Sequence, residues 1–191
     1  MVAAFRGTDD NTPIVLMGYY NPVYIYGVER FAEDAAEAGV DGLIIVDVPP
    51  EEDTELRVPA AEAGIDFVRL TTPTSDAARL PVLMEAASGF VYYVSITGIT
   101  GTAKAAIGDI DAAVKRIKGH TDLPVAVGFG ITDADFAGEV ASVADAAVVG
   151  SALVNVVRDN LGADGKAQAG LVDKALGFVR ELAGGVARSK A

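Results

Sequence analysis

Six short runs rich in β-forming residues recur along the chain: PIVLMG (13–18), LIIVD (43–47), DFVRL (66–70), FVYYVS (90–95), PVAVGF (124–129) and DAAVVG (145–150). None alternates cleanly between apolar and polar residues, which is the pattern of parallel strands covered on both faces. Parallel neighbours need a crossover between them, and helical signals lie in the gaps. Val28, Phe31, Ala32 and Ala35 fall on one helical face, with Gly39 as the stop. Asp109 is placed to cap the helix IDAAVKRIK, which Gly119 closes, and Thr132 to cap the helix that begins near Asp133.

A small internal repeat supports the βα reading. AEAGVD (36–41) and AEAGID (61–66) each stand where a helix ends and a strand begins. Alternating strands and helices give either an open doubly wound sheet or a (β/α)8 barrel. Six units occupy nearly all of the 191 residues, and two more would bring the total to about 250, the usual size of an eightfold barrel. The opening MVAAFR reads as the end of an amphipathic helix with no strand before it. The expectation is a single domain spanning 1–191, a TIM barrel lacking its first two βα units and keeping six parallel strands.

With 51% hydrophobic residues the chain can bury a full core. It has no cysteine, which removes disulfides, thiolate metal sites and a Cys nucleophile and fits a reducing, cytoplasmic setting. A formal charge of −12 argues against nucleic acid or an anionic membrane surface as a partner. The apolar run over 140–157 is interrupted by Asp145, Gly150, Ser151 and Asn155, so it reads as strand, turn and helix rather than as a membrane span. The first ten residues lack the apolar core of a secretory signal.

In a barrel of this kind the working face lies at the C-terminal ends of the strands, and the last two βα loops often build a phosphate site. Three glycine-bearing loops fall there, at 98–101, 128–132 and 150–154, with Ser151 placed as a helix N-cap. Backbone N–H groups and a helix N-terminus can hold a phosphate without Arg or Lys. Each loop alone serves equally well as a tight turn; three at one end favour the phosphate site. Asp47, at a strand's top end, suits a general acid or base, or a turn or cap. Glu51, Glu52 and Asp53 suit a helix N-terminus. Tyr19, Tyr20, Asn21 and Pro22 line an apolar pocket or form a packed, inert loop. His120, the only histidine, precedes a strand on the opposite face, which leaves no Ser/His/Asp arrangement, and no metal-ligand cluster is visible.

PIVLMGYYNP, GVDGLIIVDVPPEE, GFVYYVSITGITG, LPVAVGFGI and ADAAVVGSALV, in this order and with these gaps, resemble the tryptophan synthase alpha subunit family. The likeness begins near that family's second helix and runs to the C-terminus. It implies a (β/α)8 barrel that cleaves indole-3-glycerol phosphate to indole and glyceraldehyde 3-phosphate and passes the indole to a PLP-containing beta subunit within a heterotetramer. This chain would need no cofactor of its own. By motif position, Gly101, Gly130, Gly150 and Ser151 would hold the phosphate, and Leu16, Tyr19, Ile44, Leu70, Tyr92, Phe129 and Val148 would lie along the indole pocket. Thr100 would belong to a mobile loop that closes over the ligand.

The resemblance also implies a Glu and an Asp as catalytic groups at the ends of the family's first two strands, and no residue here matches either. Asp47 is the counterpart of neither. The expectation is therefore a lyase subunit of tryptophan biosynthesis, N-terminally shortened, with Met1 an internal methionine of a longer protein and little turnover of its own. The contrasting expectation is a non-catalytic subunit that retains phosphate-ligand binding or partner contact.

Overall fold

In a computed structural model of the protein, residues 1–95, 106–128 and 130–190 are described. They gather into two compact units, Met1–Thr71 with Asp76–Val91, and Thr72–Ser75 with Tyr92–Ala191. The first holds α1 (Val2–Arg6), β1 (Val15–Gly18), α2 (Tyr20–Tyr26), α3 (Val28–Ala38), β2 (Gly42–Ile45), α4 (Thr54–Glu62), β3 (Asp66–Phe67), β4 (Arg69–Thr71) and α5 (Arg79–Glu85). The second follows with β5 (Val91–Val94), α6 (Ile107–Lys118), β6 (Val125–Gly128), α7 (Ala134–Val143), β7 (Ala146–Val148), α8 (Ser151–Arg158) and α9 (Leu171–Ser189).

Strands β1, β2 and β3 lie side by side in that order, all parallel, and β5, β6 and β7 likewise follow chain order. An order without reversal belongs to a barrel wall; a doubly wound sheet reverses at a switch point. The run 66–70, expected as one strand, is two: Val68 N–H still reaches Leu43 O at 2.9 Å, after which the chain leaves β2 and continues as β4. The helix over Val28–Ala38 has the expected bounds. Helix α2 was not expected, because Pro22 sits in its first turn, where a missing N–H costs nothing.

The sequence repeat is a repeated hydrogen-bond pattern. Gly39 and Gly64 both take positive φ, 91° and 78°. The residue after each donates back into the helix, Val40 N–H to Ala35 O at 2.9 Å and Ile65 N–H to Ala60 O at 2.8 Å, closing the left-handed turn that ends a helix. Next in line, Asp41 N–H bonds Ile14 O and Asp66 N–H bonds Asp41 O, each at 2.9 Å. The same aspartates and their equivalents stitch the lower ends of the strands. Asp41 Oδ2 accepts from Ile14 N–H at 2.6 Å, and Asp145 Oδ2 accepts from Val125 N–H at 2.7 Å. Arg6 ties α1 to this end by pairing with Asp41 and donating to Gly39 O at 2.9 Å. A Cβ on Gly39 would stand 2.8 Å from the Arg6 side chain, so the glycine is required twice over.

In the first unit the helix-facing core is built from Leu43, Ile45 and Phe67 of the strands and Val28, Ala35, Leu56 and Ala60 of the helices, all buried. In the second, Val125, Val127, Ile110, Ile117 and Val140 are buried. α9 crosses α7 at two glycines: a Cβ on Gly185 would fall 1.9 Å from Ala134 O and one on Gly138 2.7 Å from Gly185 O.

Asp53 stands at the N-cap position of α4, the helix start expected for it, and is fully buried there; it pairs with Arg57 at 2.9 Å and with the equally enclosed Arg69. The Arg69 guanidinium also lies 4.8 Å from the centre of the Phe67 ring. Other caps shift. Asp133, not Thr132, caps α7 by accepting from Phe136 N–H at 2.8 Å. α6 starts before Asp109, which sits in its first turn.

A buried ion pair is costly to break from one side, since the surviving charge has no water to fall back on. Asp53→Ala should lose about 3–5 kcal/mol in urea unfolding, while the double variant Asp53→Leu with Arg69→Met should recover most of it. A second expectation concerns acid. The Asp145 carboxyl lies below its ordinary 3.8, chiefly through Lys118, 2.8 Å away. A depressed carboxyl contributes stability that is complete above the unfolded value and is lost as pH falls through the folded one. Asp145→Asn should therefore flatten the stability profile below about pH 4, read by urea titration at stepped pH.

Candidate functional site

Parallel register decides which residues share a face, because paired positions point the same way. In the first unit Leu16 pairs with Leu43 and Met17 with Ile44. Leu43 belongs to the helix-facing core, and Leu16 packs against that cluster. Ile44 and Met17 therefore share the other face, the inner one, and Leu16 does not. Met17 is the residue that motif reading missed, and counting by twos from Leu43 across the ladder would have found it. Alternation past Arg69, whose side chain reaches Asp53 of the helix layer, sets Leu70 on the side opposite it. Ile45, Val46, Asp47, Val48, Pro49, Pro50, Val68, Arg69, Leu70, Arg79 and Leu83 line a cleft of about 290 Å³.

Tyr19 and Tyr20 part company. Tyr19 is 64% exposed and starts α2 from the N-cap position. Tyr20 packs against the helix-facing core, and its hydroxyl donates to Glu55. Burial first and then Glu55 push this phenol up to about 12. Asp47 has a definite task, since its Oδ1 accepts the Tyr20 N–H at 2.9 Å and so caps α2 from a distant loop. That is the capping alternative, not the acid–base one.

In the second unit Gly128 pairs with Val148, and the Tyr92 ring covers Gly128: a Cβ there would meet Tyr92 Oη at 2.4 Å and ring carbons at 2.6 and 2.9 Å. Tyr92, Gly128 and Val148 thus form one surface. Burial raises the Tyr92 phenol above its ordinary value, which keeps the ring neutral and apolar. Gly128, grouped with the glycine loops by sequence, serves here as room for an aromatic ring. Ser95 fixes β5 to β6 through its N–H and Oγ, 3.1 and 2.8 Å from Gly128 O.

Beyond these strands lie the remaining glycines. Gly130 is left-handed, φ 77°. Gly150, rather than Ser151, is the N-cap of α8, and Ser151 is its first helical residue. No side chain caps α8 and no acid stands in its first turn, whereas α7 has both Asp133 and Asp135. The positive end of α8 is therefore open to an anion, and that of α7 is already answered. A Cβ on Gly150 would meet nothing within 4 Å. Thr100, Gly101 and Phe129 lie outside the described residues. Among the described residues no group of His, Cys, Asp and Glu is arranged to hold a metal ion.

The chain matches the family model of the tryptophan synthase alpha chain over residues 1–183. It is similar to tryptophan synthase subunit alpha from Legionella pneumophila, with 33% identity and a TM-score of 0.85 over 98% of this chain and 67% of that one. It is also similar to a chain of Mycobacterium tuberculosis tryptophan synthase, with 35% identity and a TM-score of 0.82 over 97% and 66%. A third match is to the tryptophan synthase α2β2 complex from Pyrococcus furiosus, with 34% identity and a TM-score of 0.78 over 96% and 69%. The chain spans about two thirds of the length of these structures.

Gly128→Ala should overpack the surface under Tyr92, because the ring has to move or the strands part. The expected loss is about 1–3 kcal/mol in urea unfolding, with a changed near-ultraviolet tyrosine signal. Pairing the substitution with Tyr92→Leu should return part of that stability.

Proposed function

The chain belongs to the tryptophan synthase alpha chain family, and we propose that it is the ligand-binding portion of a lyase subunit in tryptophan biosynthesis, built as a single incomplete barrel domain. The substrate is indole-3-glycerol phosphate, which the complete subunit cleaves to indole and glyceraldehyde 3-phosphate. The observation that carries this reading is the bare N-terminus of α8, two residues past Val148 and free of any acid or cap. The first N–H groups of a helix have no partner within it. Those of Ser151 and Ala152, with the turn at Gly130, would bind the phosphate through main chain and dipole; Gly101, outside the described residues, joins them by the family resemblance alone.

The indole ring needs an apolar, water-poor wall. The family resemblance assigns that wall to Tyr19, Ile44, Leu70, Tyr92 and Val148. Met17 takes the place first given to Leu16, because it shares the inner face with Ile44. Phe129 and Thr100, outside the described residues, complete the proposal by the family resemblance alone. Cleavage also requires an acid that protonates the indole ring carbon and a base that takes the glycerol hydroxyl proton. No carboxylate here fills either role, and Asp47 is engaged by Tyr20 N–H. The 191 residues bind without accelerating the chemical step.

A PLP-containing beta subunit is the proposed partner and receives the indole; the likeness to an α2β2 complex supports it. The proposed setting is the cytoplasm. Among the described residues no helix is long and apolar enough to cross a membrane.

Calorimetry with a non-cleavable indole phosphate-ester analogue tests the site. Gly150→Asp should abolish binding, and Gly150→Ala should keep it, since the space there is open. Gly130→Asp should also abolish it, whereas His120→Ala should change nothing. Equal losses from every variant would show the assignment to be wrong. Turnover is tested by indole release with beta subunit present. The 191-residue chain should be inactive, and the same chain extended upstream by about 60 residues, two βα units, should be active. Activity from the shorter chain would overturn the division of roles, and analogue binding with neither version active would favour the non-catalytic reading.

A further inference from the structure

Arg69 and Leu70 are neighbours turned to opposite faces of β4. The Arg69 side chain is enclosed on the helix side, against Asp53 and 4.8 Å from the centre of the Phe67 ring. Leu70 lines the cleft of about 290 Å³. The apolar pattern does not decide this choice of face. Phe67 and Val68 are adjacent and both buried, so the stretch offers an acceptable core residue on either side. The ladder to β2 does not decide it either, since Val68 N–H to Leu43 O is the last main-chain bond the stretch makes to that strand among the described residues. Strands with two similar faces are those whose register is weakly specified.

The ion pair supplies the missing information. A guanidinium is tolerated out of water only where a carboxylate meets it. Asp53 is that carboxylate: it is fully buried, stands at the N-cap position of α4, and is held through its other oxygen by Arg57 Nε at 2.9 Å. Glu51, the other acid that acts on Arg69, is occupied by Arg79 Nη2 at 2.9 Å. A slip of β4 by one residue would exchange its faces. It would carry Arg69 away from Asp53, leave an enclosed carboxylate short of a cation, and take Leu70 out of the cleft wall. Buried ion pairs are weak sources of stability, and fixing register is their best-attested use.

We propose that Arg69 is a positioning residue, which through Asp53 fixes the face that β4 turns to the helices and so holds Leu70 in the cleft. The consequence for ligand binding rests on the function proposed above, in which Leu70 belongs to the indole wall; the orientation of the strand does not.

The chain has no cysteine, so one introduced thiol reports the face of a single position. In the whole chain Leu70→Cys, at a half-buried position, should react with N-ethylmaleimide, whereas Thr71→Cys, at a position 1% exposed, should be protected. With Asp53→Leu and Arg69→Met together, the pair expected above to keep most of the stability, the ratio of the two rates should fall at least about tenfold. Asp53→Asn, closer in shape, should lower it less, and Arg69→Lys, which keeps a cation for Asp53, should leave it high. Calorimetry with the non-cleavable indole phosphate-ester analogue should give a dissociation constant raised at least about tenfold in the double variant and little changed in Arg69→Lys. A labelling ratio kept by both the double variant and Asp53→Asn would overturn the proposal. So would an affinity loss that follows the urea midpoint rather than the labelling ratio. An unaltered chain that does not bind the analogue would count against the proposed function, and the labelling ratio would still decide the role of Arg69.

Discussion

The joint at which each helix hands the chain back to the sheet governs the rest of this structure. At Gly39 and again at Gly64 the backbone turns left-handed and the next residue, Val40 or Ile65, is buried. The aspartate after it then bonds the foot of the preceding strand. One turn thus ends a helix, covers an apolar side chain and sets a strand's register. A side chain in place of glycine would strain the backbone, and at Gly39 it would also displace Arg6, which ties α1 to the same end.

Register in turn decides what each strand offers to a ligand. A slip of one residue exchanges the two faces of a strand. That is why the bond from Asp41 N–H to Ile14 O has consequences several residues further up, where it sends Leu16 to the helices and Met17 inward. In the second unit the pairing of Gly128 with Val148 does comparable work. The position directly beneath the Tyr92 ring is one that has no side chain to obstruct it, so a large aromatic and a β-branched residue share one surface.

The strands and the helices α3, α6 and α7 were legible because their signals are local. Apolar runs bounded by glycine and the 3.6-residue spacing over Val28–Ala38 concern neighbours in sequence, and the repeated AEAG joint announces its own turn chemistry. What escaped is what depends on partners far along the chain. Nothing near Asp53 indicates that Arg69 will be buried against it, and nothing near Tyr20 indicates that Asp47 will cap its helix. The break after Phe67 follows from where β2 stops, which no propensity within DFVRL records. The inner position of Met17 was available in principle, but only after the ladder to Leu43 was known. The caps of α7 and α8 were missed by one residue and that of α6 by three; at α7 adjacent Thr and Asp compete for the same helix start.

An acidic chain is an unpromising host for the proposed phosphate until its carboxylates are located. Asp41 and Asp145 are spent at the lower ends of the strands, where each accepts a main-chain N–H and pairs with a cation. At the upper end of the second unit, α7 has its dipole answered by Asp133 and Asp135, and α8, one βα unit later, has no acid in its first turn. The total of −12 therefore says little about the field at that point. A charge two turns away across water is largely screened, whereas the N–H groups of a first helical turn act at contact distance and require no counter-charge of their own. Gly150 keeps a carboxylate from that position, and the open space over it shows that no packing demand requires a glycine there. What its absent side chain provides is unobstructed approach to main-chain donors, which is the chemistry an anion needs in a protein with so little basic surface to offer.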